Sequence, residues 1–203
     1  MAPKKNRKVS RHKSRSKLWL AIGIIAIIAI SIAVYAVISN PSAPATIPPT
    51  KVLLQTTAGN ITIDLRTDKP ITSSNFINLV KEGKYDGTTF HRTMTGFMIQ
   101  GGKVSGVPTI KDEIGSNNRN VNYTIAMAKT SQPNSATSEF FINVADNGQV
   151  IPNFDSTYTV FGTVISGQNV VDAIANAAVG PNARGEMSVP VNPVTVIKAT
   201  IVP

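Results

Sequence analysis

Ile61, Ile63 and Leu65 alternate with Thr62 and Asp64, a period of two that makes a strand with one buried face. The same short rhythm recurs from Lys51 to the end of the chain. Val52–Thr57 and Asn60–Leu65 flank Ala58-Gly59, a pair of strands joined by a short turn. Thr88–Arg92, Phe97–Gln100, Tyr123–Ala128, Glu139–Val144, Tyr158–Val164 and Pro193–Val202 also read as strands. Two stretches have helical spacing instead. One carries Phe76, Leu79 and Val80 on one face, with Thr72 or Ser73 as its cap and Gly83 after its end. The other is Gln168–Ala175, with Val170, Val171 and Ile174. About eight short strands and two helices describe a mainly β domain over 51–203, an antiparallel sandwich or barrel.

One hairpin concentrates unusual chemistry. Phe90-His91-Arg92-Thr93-Met94-Thr95-Gly96-Phe97-Met98-Ile99-Gln100-Gly101-Gly102 places a guanidinium, an amide and large apolar groups around a tight connection at Thr93–Gly96. Counting by two puts Phe90 and Arg92 on one face. It pairs Met98 with Gln100 and sets Phe97 and Ile99 opposite. Gly101 and Gly102 suit a bulge or a close backbone approach. Composition alone would make this an ordinary hairpin with a stray arginine.

The order of these residues resembles the signature of the cyclophilin family of peptidyl-prolyl isomerases. Ala126-Met127-Ala128, then Asn134-Ser135-Ala136-Thr137-Ser138-Glu139-Phe140-Phe141-Ile142, resembles that family's second signature. Val160-Phe161-Gly162 and Asp172-Ala173-Ile174 follow in the expected order. The resemblance spans nearly all of Lys51–Val202. It implies a closed eight-stranded antiparallel barrel capped by two helices, and catalysis of cis/trans rotation at X–Pro bonds. It also implies site roles. Arg92 matches the catalytic arginine and Gln100 the polar residue beside it. Phe97, Met98 and Phe141 match the wall of the proline pocket, and Ala128 a backbone contact to substrate. Phe154 and Tyr158 fall at the pocket's far side.

Elementary chemistry agrees with that assignment. Rotation about the peptide bond faces a barrier of about 18–20 kcal/mol, mostly lost amide resonance. At the twisted midpoint the proline nitrogen becomes a hydrogen-bond acceptor. A guanidinium, always charged, can donate to it there and barely at all in the planar ground state. No metal, nucleophile or cofactor is required. The chain has no cysteine and two histidines, which excludes thiolate metal sites, a thiol nucleophile and a disulfide framework. His91, adjacent to Arg92, points to the opposite face by strand alternation and is expected to make a structural hydrogen bond inside the barrel. Glu139 stands where the family often has glutamine. It orients Arg92 or Gln100, or is merely a polar neighbour.

The N-terminal quarter is different. Eight of the 20 basic residues lie within 1–17, and no acid precedes Asp64. The rest of the chain holds 12 basic and 11 acidic residues, so the domain is nearly neutral and nothing in it asks for nucleic acid. Leu18–Ile38 carries no charge over 21 residues, with Trp19 and Tyr35 near its ends. A helix of that length spans about 31 Å, close to a bilayer's hydrocarbon core. It is expected to be a transmembrane signal anchor. The basic tail 1–17 would be cytoplasmic and the catalytic domain extracytoplasmic at the cell membrane. The alternative is secretion after cleavage near Ala43 or Ala45. Residues 39–50 hold four prolines and form an extended linker. The sequons at Asn60 and Asn122 fall on expected strands, which disfavours glycosylation.

The expected activity is therefore a cofactor-independent isomerase acting on proline-containing polypeptides as a monomer, assisting folding outside the membrane. The rivals are a proline-binding or chaperone module with incidental turnover, and a membrane-anchored structural protein on a reused barrel. Three positions depart from the family's usual pattern. Lys129 replaces a common asparagine. Asn153 falls near a tryptophan that helps bind cyclosporin, and Tyr158 falls at a common histidine. These departures predict weak inhibition by cyclosporin, measured on X–Pro isomerisation; tight, nanomolar inhibition would refute it.

Overall fold

The computed structural model describes residues 46–203. The basic tail, the expected membrane span and most of the linker lie outside the described residues. Among the described residues, no helix is long and apolar enough to cross a membrane.

Eight strands form one antiparallel sheet: β1 (Thr50–Thr56), β2 (Gly59–Leu65), β3 (Phe90–Met94), β4 (Met98–Gly101), β5 (Thr124–Met127), β6 (Phe140–Asn143), β7 (Val160–Ser166) and β10 (Val196–Val202). Their spatial order is β10-β1-β2-β7-β5-β6-β4-β3. All eight coincide with stretches read as strands from the sequence. A separate hairpin, β8 (Val179–Pro181) with β9 (Met187–Pro190), was not anticipated. Its strands are three and four residues long and hold Gly180, Pro181 and Pro190, residues that read as turn and not as strand.

The sheet curls into a half-barrel. Its outer strands, β10 and β3, share no continuous ladder. They approach through the single bridge Thr89–Thr195, with Phe90 N donating to Val194 O at 2.9 Å and Val196 N to Thr88 O at 2.8 Å. Inside the curl lies a core built on Leu54, Ile63, Phe76, Phe90, Ile99, Phe140, Ile142 and Phe161, all fully buried.

Helix α1 (Pro70–Lys81) packs on β7 and β10, and α3 (Gln168–Ala175) on β2, β3 and β4. A third short helix, α2, spans Asn147–Val150. The cap of α1 is not Thr72 or Ser73. Pro70 starts the helix, and the carboxylate of Glu113 accepts from Ile71 N at 3.1 Å and Thr72 N at 2.8 Å. An anion from a distant loop thus satisfies the first-turn amides and meets the positive end of the helix dipole. Ser73 Oγ donates instead to Arg66 O.

The strands that carry the site are buried on both faces. All four residues of β5 and all four of β6 are buried. Phe140 and Ile142 face the core, whereas Phe141 joins Met98, Ala126, Phe154 and Val160 in a second apolar cluster on the other face. Gly102 follows β4 with φ 73°; a Cβ there would lie 2.5 Å from the Phe140 ring and 2.9 Å from Tyr85. Only glycine meets both the backbone angle and the contact.

Candidate active site

Alternation places most of the site. On β4, Ile99 goes into the core, so Met98 and Gln100 must face outward. On β6, Phe141 faces the same way. Two expectations about the hairpin fail here, each for a local reason. Phe90 and Arg92 do not share a face. Phe90 pairs with Gly101 and Arg92 with Gln100, leaving His91 as an extra residue between them. That bulge turns Phe90 into the core and Arg92 outward beside Gln100. Phe97 does not oppose Met98 either. It belongs to the turn before β4, with its N–H on Met94 O at 3.0 Å, so the period of two does not reach it.

The result is one cavity of about 130 Å³. Arg92, Gln100, Phe97, Met98, Ala128, Phe141, Phe154 and Tyr158, every site residue named from the sequence, line it. Lys129 joins them at the rim, its Nζ 2.7 Å from Asp112 Oδ2. The aromatic wall is built edge to face. Phe97 and Phe141 stand 5.7 and 5.8 Å from Phe154, and Phe141 stands 5.4 Å from Tyr158. Rings meeting in this way are favoured by their quadrupoles, which stiffens the wall.

Phe154 and Tyr158 come from a turn-rich loop that needs external support. Asn118, almost wholly buried, donates from Nδ2 to Asp155 O at 2.6 Å and to Tyr158 O at 2.8 Å, and accepts from Val160 N at 2.8 Å. Asp155 Oδ1 in turn accepts from Asn120 N at 2.6 Å. These asparagines lie in 103–122, a segment whose polar composition reads only as loop. Nothing local marks them, because their partners are 35 to 42 residues away.

The polar rim is arranged in two pairs. Gln100 Nε2 donates to Glu139 Oε2 at 2.8 Å, and His91 Nε2 lies 3.5 Å from the same oxygen. Of the alternatives for Glu139, the structure selects the contact to Gln100. It also moves His91. The bulge leaves its side chain about one-third exposed against Glu139, not bonded inside the curl. The hydrogen bond from His91, then that from Gln100, hold the Glu139 carboxyl below its ordinary range against the opposing effect of burial.

Arg92 has a different partner. Its Nη2 donates to Glu186 Oε1 at 2.7 Å and its Nε to Glu186 Oε2 at 3.1 Å. Glu186 lies in the turn between β8 and β9, and β9 packs against β3. The hydrogen bond from Arg92, followed by that from Ser188, lowers its carboxyl to about 2. Sequence reasoning missed Glu186 because it lies 94 residues from Arg92.

An apolar slot with a charged donor at its edge is what a bound proline ring requires, and the comparisons agree. The family model for cyclophilin type peptidyl-prolyl cis-trans isomerases matches residues 51–201. Peptidyl-prolyl cis-trans isomerase cyp18 of Streptomyces antibioticus is 45% identical over 161 residues, covering 73% of this chain and 96% of that one. Peptidyl-prolyl cis-trans isomerase B of Escherichia coli is 42% identical over 142 residues, covering 64% and 86%. Among solved structures, a cyclophilin type isomerase of Cryptosporidium parvum aligns with TM-score 0.68 at 24% identity, covering 77% of this chain and 99% of that one. The chain belongs to the cyclophilin family. It is a peptidyl-prolyl cis-trans isomerase, an enzyme whose substrates are proline-containing peptides.

The depressed Glu139 value fixes the sign of a pH effect. A carboxyl lowered in the folded state stabilises it above the unfolded value, near 4.5, and loses that contribution as pH falls through the folded value. The melting temperature of Glu139→Gln is therefore expected to lie below that of the wild type at pH 6. The gap should close as pH drops below 4.5. A gap that is constant with pH would show that ionisation of Glu139 contributes nothing.

Proposed function

We propose that Arg92 is the catalytic donor and that the enzyme assists the folding of client proteins outside the membrane. The observation that carries the first part is the placement of the Arg92 guanidinium at the edge of an apolar cavity lined by Phe97, Met98, Phe141 and Phe154. The rings and the thioether take the proline ring and exclude water from it. Exclusion of water strengthens a hydrogen bond from Arg92 to the pyramidal nitrogen of the twisted bond. Gln100, held by Glu139, offers an amide beside the arginine for the peptide backbone. Ala128, whose N–H donates to Glu139 O at 2.9 Å, lines the same cavity and would meet the substrate chain there. The Phe90–Val194 and Val196–Thr88 hydrogen bonds support a barrel closed at that seam, which would keep the pocket rigid while the substrate rotates.

The second part rests on the sequence. The uncharged 21 residues of Leu18–Ile38 behind a basic tail fit a single-pass anchor with a cytoplasmic N-terminus. The prolines of 39–50 would then hold the domain as far as roughly 37 Å from the bilayer.

The test of the site follows isomerisation of a short X–Pro peptide by the full chain in detergent. Arg92→Ala should lose about 100-fold or more of the acceleration, as removal of a transition-state donor commonly does. It should still bind the peptide. Full acceleration by Arg92→Ala would move the chemistry elsewhere in the pocket. A folded wild type that binds the peptide without accelerating it would favour a proline-binding module. Location is tested by adding protease to intact cells. Digestion of the isomerase domain with the basic tail protected is expected. A protected domain, or one released into the medium, overturns the anchor.

A further inference from the structure

We propose that Glu186 is a positioning residue for Arg92, holding one edge of the guanidinium so that the opposite nitrogen, Nη1, is presented to the substrate's proline. The inference rests on the reading of Arg92 as the donor. Glu186 takes Nε and Nη2 through two parallel bonds of 3.1 and 2.7 Å. Nη2 also contacts Met94 Sδ at 3.2 Å. Among the described residues Nη1 has no hydrogen-bond partner. A guanidinium is a rigid plane, so fixing Nε and Nη2 also fixes the direction of the two Nη1 hydrogens.

The carboxylate is itself held in place. Glu186 Oε2 accepts from Asn182 Nδ2 at 3.0 Å and from Ser188 Oγ at 2.9 Å. Asn182 Oδ1 accepts from Glu186 N at 3.1 Å and Arg184 N at 2.8 Å, which shapes the turn that carries the carboxylate. Ser188 is almost wholly buried. A hairpin that packs on β3 therefore delivers a fixed carboxylate to a residue of β3.

A carboxylate beside a catalytic cation has two opposed effects. It draws positive potential away from Nη1, which weakens the donor. It also orders a long side chain before substrate arrives, which removes an ordering cost from the reaction itself. Orientation is the larger effect here. The pair is about one-third exposed on both sides, so solvent screens the charge effect. Arginine keeps its own charge whatever its partner. A hydrogen bond to a twisted nitrogen is, by contrast, steep in angle.

The experiment measures kcat and KM of the full chain on an X–Pro peptide for wild type, Glu186→Ala, Glu186→Gln, Arg92→Ala and the Glu186→Ala/Arg92→Ala double variant, with melting curves for each. Glu186→Ala should lower kcat about tenfold with little change in KM, while still melting in one cooperative transition well above the assay temperature. Glu186→Gln, which can still accept one bond, should lose less. Adding Glu186→Ala to Arg92→Ala should cost nothing further, because the residue acts only through the arginine. Wild-type turnover in both Glu186 variants would overturn the proposal. So would an equal loss in both arginine backgrounds, which marks a separate structural effect. Turnover unaffected by Arg92→Ala would instead remove the underlying reading of Arg92, and the proposal with it.

Discussion

Strands β4, β5 and β6 bury both of their faces, and the rest of the molecule follows from that. A curled sheet needs only its concave side filled to be stable. Here Ile99, Phe140 and Ile142 do so from one face. The opposite face is apolar as well, carrying Met98, Ala126 and Phe141. Such a surface must be covered or used. Phe97 and the Phe154–Tyr158 loop cover it incompletely, and the gap they leave is the cavity of about 130 Å³. The pocket is thus a place where packing stops short, lined by groups rigid enough not to collapse into it.

Polar groups reach this apolar site only with partners fixed elsewhere. Gln100 is held by Glu139, and Arg92 by Glu186. The aromatic loop hangs on Asn118. Each tether is a hydrogen bond to a loop far away in sequence, from a strand residue for Gln100 and Arg92 and from a second loop for Asn118. A reaction that involves no covalent intermediate depends on such placement, since the enzyme has only geometry and electrostatics to offer. The two acids at the rim differ in what they hold. Glu139 fixes a neutral amide and faces a histidine, whereas Glu186 grips a permanent cation from the turn of the β8–β9 hairpin.

The eight strands and both long helices were legible because each carries several turns or pleats of its own pattern. What escaped were features shorter than one period or built from distant pairs. One extra residue at His91 reversed the expected faces of Phe90 and Arg92. Phe97 sat one position outside the strand and so escaped its alternation. The cap of α1 came from Glu113, over 40 residues away, in place of the nearby Thr72 and Ser73. The β8–β9 hairpin is short and broken by Gly180, Pro181 and Pro190, so it reads as loop, yet it holds the partner of Arg92.

The sequence by itself determined the β class, the family and the membership of the pocket. Those follow from local periodicity and from an ordered set of residues, both of which are properties of the chain as written. Tertiary structure alone decided how the polar groups pair: His91 against Glu139, Glu186 on Arg92, Asn118 under the aromatic loop. A carboxylate's partner is chosen by which loops the curled sheet brings within about 3 Å of it, a distance the length of a hydrogen bond sets. No spacing along the chain encodes that choice, because the pairs form only after the sheet has closed the distance.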